Sequence, residues 1–147
     1  MSIDQAMCTL FKKDVLLGDH HLDSDVIMIA LYTDAATLNA TTDGYITAGE
    51  VSASGTNYTT TGVALGTKSV IENSTSGCFT SANPEWTSAT FTANGALIYN
   101  KTLGDASSNS RGAIAVLAFG GNFTVAGGTF KIVFPAQTKD TAIIRID

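Results

Sequence analysis

The chain has 147 residues, a formal net charge of -5 and only 14% charged side chains against 44% hydrophobic ones. That length suits one domain with a real core. An acidic balance with no run of Lys or Arg argues against a nucleic-acid partner, which needs several cations set against phosphates. Thr, Ser, Asn and Gly replace the charges, so the surface is expected to be rich in hydroxyls and amides, a composition that suits strands and protein contacts.

The first segment is the one predicted helix, from about Ser2 to Leu17. Ile3, Met7, Leu10, Phe11 and Leu17 recur at helical spacing, Ser2 with Gln5 makes a capping box, and Gly18 is a natural stop. The same segment lacks the basic-then-apolar order of a secretory signal, and no apolar run nears the roughly 20 residues that cross a bilayer. The expectation is a soluble chain made in a cytoplasm, with no membrane partner. In "GDHHLDSD" the adjacent His20 and His21 point apart and no further His exists to complete a zinc shell. With Asp23 and Asp25 they read as a solvated loop.

"VIMIALYT", Val26 to Thr33, is a near-continuous apolar run expected to form the central strand, covered on both faces. The next stretch, Asp34 to Gly62, is polar and Gly-rich. It reads as an ordered loop, with a short helical turn around Ala35 to Leu38, packed down by Leu38, Tyr45, Ile46 and Tyr58.

From Val63 onward the pattern is strands and turns: "VALGTKSVIEN", "GCFTSANPEWTSATFTANGALIYN", "RGAIAVLAFGG", "GTFKIVFP" and "TAIIRID". Pro84, Pro135 and the pairs Gly120-Gly121 and Gly127-Gly128 punctuate them as turns. The expected fold is mainly β: one domain over residues 1–147, an antiparallel β-sandwich (jelly-roll-like) with one N-terminal amphipathic helix. Ile29, Leu31, Phe91, Leu97, Val116, Phe119, Phe130, Ile132 and Ile144 are the predicted core.

Two rules disagree over "TSATFTANGALIYN", Thr87 to Asn100. Asn94-Gly95 is a strong signal for a two-residue hairpin turn. Yet Ala89, Phe91, Ala93, Gly95, Leu97 and Tyr99 keep one phase through it, with Ser88, Thr90, Thr92 and Asn94 on the other. Unbroken phase favours one long strand from Trp86 to Asn100, bulged near Asn94-Gly95.

Little chemistry is visible. A serine hydrolase would need His20 or His21 as its base, and there is no Gly-x-Ser-x-Gly elbow. Glycosidase chemistry would need a pair of carboxylates, and Glu50, Glu72 and Glu85 are the only glutamates. Trp86 reads as a core residue at the start of its strand, with sugar or partner stacking as the minority alternative. Cys8 and Cys78 read as two separate, reduced, buried thiols. The Asn-x-Ser/Thr triplets at Asn39, Asn57, Asn73, Asn100 and Asn122 follow from a Thr-rich composition. The chain is therefore expected to be no enzyme and to need no metal, cofactor or disulfide.

"IALYTDAATLNATTDGYITAGEVSASG", "WTSATFTANGALIYN", "AIAVLAFGGNFTVAGGTFKIVFPA" and "AIIRI", after the amphipathic "CTLFKKDVLLGDH", resemble a family of small structural proteins of tailed bacteriophages. The likeness spans most of the chain in the same order. It implies a virion component, with a capsid decoration (cement) protein that stabilises the head shell as the leading reading. A tail or head-tail component, including a carbohydrate-binding module for host attachment, is the alternative. In the family pattern Arg stands more often where this chain has Asn94, which also speaks against a positive-φ turn there. The implied partners are the major capsid protein or another virion protein and further copies of the chain, as a homo-oligomer with a trimer as its expected form. Expected assembly contacts are Met7, Leu10 and Phe11 on the helix, Tyr45 and Tyr58 in the long loop, Asn94, and Lys101 and Arg111 at the ends of a second loop.

Overall fold

The computed structural model describes residues 1–138 and 140–147. The fold is mainly β, antiparallel and sandwich-like, with a short helix near the N-terminus. The strands are Ala6–Met7 (β1), Ile27–Tyr32 (β2), Val63–Ala64 (β3), Ser69–Asn73 (β4), Ser76–Thr80 (β5), Glu85–Asn100 (β6), Ala113–Lys131 (β7) and Ile144–Ile146 (β8). The helices are Thr9–Leu16 (α1) and Lys101–Asp105 (α2). One sheet runs β1-β7-β6-β2-β3 and the other β4-β5-β8. Phe79 and Ile144 of the smaller sheet share one buried cluster with Ile29, Leu97 and Val116 of the larger.

β2 is buried at every position, as a continuous apolar run demands of a strand covered on both faces. β6 is one strand through Asn94-Gly95, with Ala93 opposite Phe123 and Gly95 opposite Ala118. Two steps along β6 thus match five along β7, and the surplus forms a bulge on β7 at Phe119 to Asn122. Asn94 donates across it to Asn122 at 3.0 Å. Gly95 sits where another backbone approaches: a Cβ there would lie 2.6 Å from the Leu117 carbonyl oxygen and 2.7 Å from Ile3 Cγ2.

Several sequence expectations are corrected. The helix starts at Thr9, not Ser2, because Ala6 and Met7 pair with Val116 and Ala115 on β7 and Ile3 bridges to Leu38. Those backbone groups are already engaged in sheet bonds, so the Ser2–Gln5 box does not form, and Cys8 is the N-cap without a side-chain bond. Gly18 does end it, at φ +75°. "RGAIAVLAFGG" and "GTFKIVFP" belong in the main to one 19-residue strand. Gly120 (φ +79°) and Gly127 (φ +68°) use their freedom for bulges within β7 instead of turns between strands. "VALGTKSVIEN" is divided between the two sheets as β3 and β4. The turn near Ala35 is a tight turn closed by Ala36 N–H donating to Thr33 O at 3.1 Å, not a helical one.

Candidate assembly surface

The long loop is ordered by its tyrosines. Glu50 bridges to Tyr32 on the sheet margin and accepts hydrogen bonds from Tyr45 Oη at 2.6 Å, Tyr58 Oη at 2.8 Å and Thr61 N–H at 2.7 Å. Tyr58 Oη accepts from Leu31 N–H at 3.0 Å, while Tyr32 and Tyr99 donate to the Ile46 and Thr61 carbonyls, each at 2.7 Å. All four tyrosines of the chain thus sit around one carboxylate. Burial first, and the Glu50 charge besides, holds every one of these phenols above the ordinary range. Leu38 and Tyr58 are buried, and Tyr45 and Ile46 half-buried against the core, so the loop is packed as its apolar anchors imply.

Beyond the five-stranded sheet, β6 and β7 continue alone. β2 covers only Gly95 to Asn100 of β6, and β1 only Ala115 and Val116 of β7. Glu85 to Ala93 with Phe123 to Lys131 therefore forms a two-stranded ribbon. One face is polar, with Thr92 and Thr124 hydroxyls 2.7 Å apart. The other carries aromatic rings: Phe130 meets Trp86, Phe91 and Phe119 at centroid separations from 5.2 to 6.1 Å, and Phe119 meets Phe123 at 6.2 Å.

The long loop covers this face on the β6 side only. Tyr58 touches Trp86 and Phe91, Thr90 N–H donates to Thr56 O at 2.9 Å, and Asn57 Nδ2 donates to Thr87 O at 2.6 Å. On the β7 side the same face is open. Phe119, Phe123, Val125, Phe130 and Ile132 line a hollow of ≈ 450 Å³, and Phe123 is 53% exposed. After Ala118, whose N–H donates to the Gln5 side chain, the outer edge of β7 has no partner strand among the described residues.

A second apolar surface lies at the other sheet. Phe11, Val15, Leu22, Phe79, Ile144 and Ile146 line a cavity of ≈ 400 Å³ between α1 and β4-β5-β8. Of its lining, Val70 and Ile146 are each 51% exposed. His20 stands beside the cavity, not in a wholly solvated loop as expected. Its ring meets Phe11 edge-on at 4.8 Å, and Nδ1 lies 3.2 Å from Asn100 Nδ2, which also donates to Asp25 at 2.6 Å. His20 Nε2 is buried without a hydrogen-bond partner, and burial lowers the ring's affinity for a proton. Among the described residues no group of three or more His, Cys, Asp or Glu could hold a metal ion.

The sequence-predicted contacts fall into two sets. Phe11 on α1 and Tyr58 in the long loop are 1% and 3% exposed and pack into the core of the chain, since large apolar side chains are also what pins such a segment to the core. Met7 and Tyr45 are half-buried in the same way, Met7 on β1 and Tyr45 stacked on Tyr99 at 5.2 Å. Leu10, Asn94 and Lys101 are partly exposed, and Lys101 pairs with Asp105 at 2.6 Å. Arg111 ties its loop to α1 through the buried Asp14, at 3.2 Å, and Asp19. Those two carboxylates raise its affinity for its proton.

Sequence reasoning missed the open hollow, because Phe119, Phe130 and Ile132 were placed in the core. Alternation tells which face of a strand is apolar but not whether anything covers it. The signal that would have found it is the absence of any charged residue from Trp86 to Asn100 and from Ala113 to Phe130, unusual for strands that reach a sheet edge. Comparison with protein-family models, with curated proteins and with solved structures finds no match to this chain.

Proposed function

We propose that this chain is a structural subunit of a bacteriophage particle, a homo-oligomer that decorates the outer face of the capsid and cements the head shell. The assembly part rests on one observation, the β6–β7 ribbon, which carries no charge between Trp86 and Ala93 or between Phe123 and Phe130 and whose apolar β7 side lies open at an edge with no partner strand among the described residues. Proteins normally blunt such edges with charge, proline or a covering segment, and open apolar surface of this kind marks a protein contact. The virion part rests on the segments quoted above from the sequence.

A cement protein needs contact area more than chemistry: each apolar Å2 removed from water contributes about 25 cal/mol, and symmetry repeats the contact. Net charge -5 suits an outer surface, away from packaged DNA. Mass-spectrometric copy counting on purified particles of the phage that encodes the chain tests the reading. Many copies per shell are expected. A few copies located at the tail would replace decoration by the tail role, and no copies at all would remove the virion reading.

A further inference from the structure

His20 lines one side of the cavity between α1 and the small sheet, and its two ring nitrogens stand in unequal surroundings. The orientation of the neighbouring Asn100 amide is fixed from both ends. Its Oδ1 accepts from Leu103 N–H at 3.1 Å, capping α2, and its Nδ2 donates to Asp25 at 2.6 Å. Nδ2 is therefore also the atom that faces His20 Nδ1 at 3.2 Å, so Nδ1 is the acceptor and the ring proton sits on Nε2. Nε2 is buried and has no hydrogen-bond partner among the described residues. Such a seat accommodates a neutral ring but not an imidazolium, whose second N–H would point at an amide group that has only N–H to offer. We infer that His20 is a pH-operated side wall: on protonation the ring leaves its seat beside Phe11 and Asn100 for solvent and uncovers the apolar cavity.

Two movements relieve the clash, and the bonds each breaks decide between them. Turning the Asn100 amide would present an oxygen to the imidazolium, but it takes the acceptor from Leu103 N–H and the donor from Asp25, at a residue that is wholly buried. Two buried bonds are lost for one gained. Turning the ring out breaks only the Nδ1 contact and the edge-on contact with Phe11, and it brings both ring N–H groups to water. His20 is half-buried on the irregular segment after α1, so a side-chain rotation suffices. The charged groups around the ring are Asp14 on α1, Asp19 and Asp25 on its own segment and Arg111 from the loop after α2; His21, Asp23 and Cys78 also line the cavity. The three carboxylates near the ring favour the imidazolium, yet Asp14 and Asp19 are engaged by Arg111, and Asp25 by Asn100 and the His21 N–H. Burial outweighs them and holds the ring's proton affinity below the ordinary range. Departure of the ring bares the edge of Phe11, only 1% exposed while covered, and widens a cavity whose other walls include Val15, Leu22 and Phe79.

Nuclear magnetic resonance on the full chain, followed from neutral pH downward, tests this. Nuclear Overhauser effects between the His20 and Phe11 rings should be present at neutral pH and lost as the imidazole titrates, while the Asn100 side-chain amide keeps its resonances and the backbone spectrum stays dispersed. Binding of the apolar dye anilinonaphthalene sulfonate should rise over the same pH range in the wild type and stay flat in His20→Gln, which has no proton to gain. A ring that becomes imidazolium with its Phe11 contacts intact would overturn the inference in favour of the amide turn. A ring that stays neutral until the whole domain unfolds would overturn it as well, and so would dye binding that rises equally in folded His20→Gln. Should that variant fail to fold, the resonance titration of the wild type decides alone.

Discussion

Gly95 shows how one residue decides between two local structures. Next to Asn94 it carries the composition of a hairpin turn, yet its place in β6 is set by what approaches it, the Leu117 carbonyl on one side and Ile3 on the other. Gly95→Ala should therefore destabilise the fold by about 1–3 kcal/mol, the usual cost of overpacking against atoms that cannot yield. Gly66→Ala, where a Cβ would meet nothing within 4 Å, should stay within about 0.5 kcal/mol in the same urea titration. The long strand was legible because period-2 phase is a direct image of a sheet with one dry face. The close approach was not, because Ile3 lies far away in sequence.

His20 gives the second prediction at this scale. Its folded-state proton affinity is lowered, by burial first, although the nearby Asp14, Asp25 and Asp19 pull the other way and Arg111 adds to the lowering. The neutral ring is thus the native form, and protonation at Nδ1 would set an N–H against the Asn100 amide that now faces it at 3.2 Å. Its contribution to stability is complete above the ordinary value of 6.5 and is lost as pH falls from there toward the lower folded-state value. Urea midpoints followed downward from neutral pH should fall, and His20→Gln should flatten that limb.

At the scale of elements, the Asp34–Gly62 loop behaves as part of the domain because Glu50 gathers three donors from it. Glu50→Ala leaves two phenols and a backbone N–H without their acceptor. It should cost about 1–3 kcal/mol and open the loop to limited proteolysis. The four phenols have folded-state values raised above the ordinary 10.0, so their contribution is complete below that pH and is lost as pH rises through the raised values. Tyrosinate absorbance in an alkaline titration should consequently appear together with the loss of circular dichroism, not before it.

The loop's anchors were legible as large side chains in a polar stretch. Their common target was not, since Glu50 is one acidic residue among 13 and only the tertiary fold brings all the tyrosines to it. The same limit shortened α1. An amphipathic stripe fixes which residues share a face, but Ala6 and Met7 left the helix for a strand pairing with residues more than 100 positions away. On β7 the glycine pairs carry one sequence signal for two structures, a turn or a bulge, and the continuous partner β6 selects the bulge.

For the whole molecule, a mainly β antiparallel fold was legible from alternation and turn spacing, whereas the division into sheets of five and three strands and the continuation of β6 and β7 as a two-stranded ribbon depend on pairing that no local pattern encodes. The ribbon is where fold and proposed role meet: a long uncharged edge is a liability in a free monomer and an asset in an assembly. Phe123→Asp should accordingly abolish self-association while leaving unfolding free energy within about 0.5 kcal/mol, as exposed substitutions do. The most direct measurement is amide hydrogen exchange along Phe119 to Lys131 at protein concentrations below and above assembly. The outer-edge amides of β7 should exchange fast in dilute solution and become protected on concentration. Exchange at these positions that is unchanged by concentration would contradict the account.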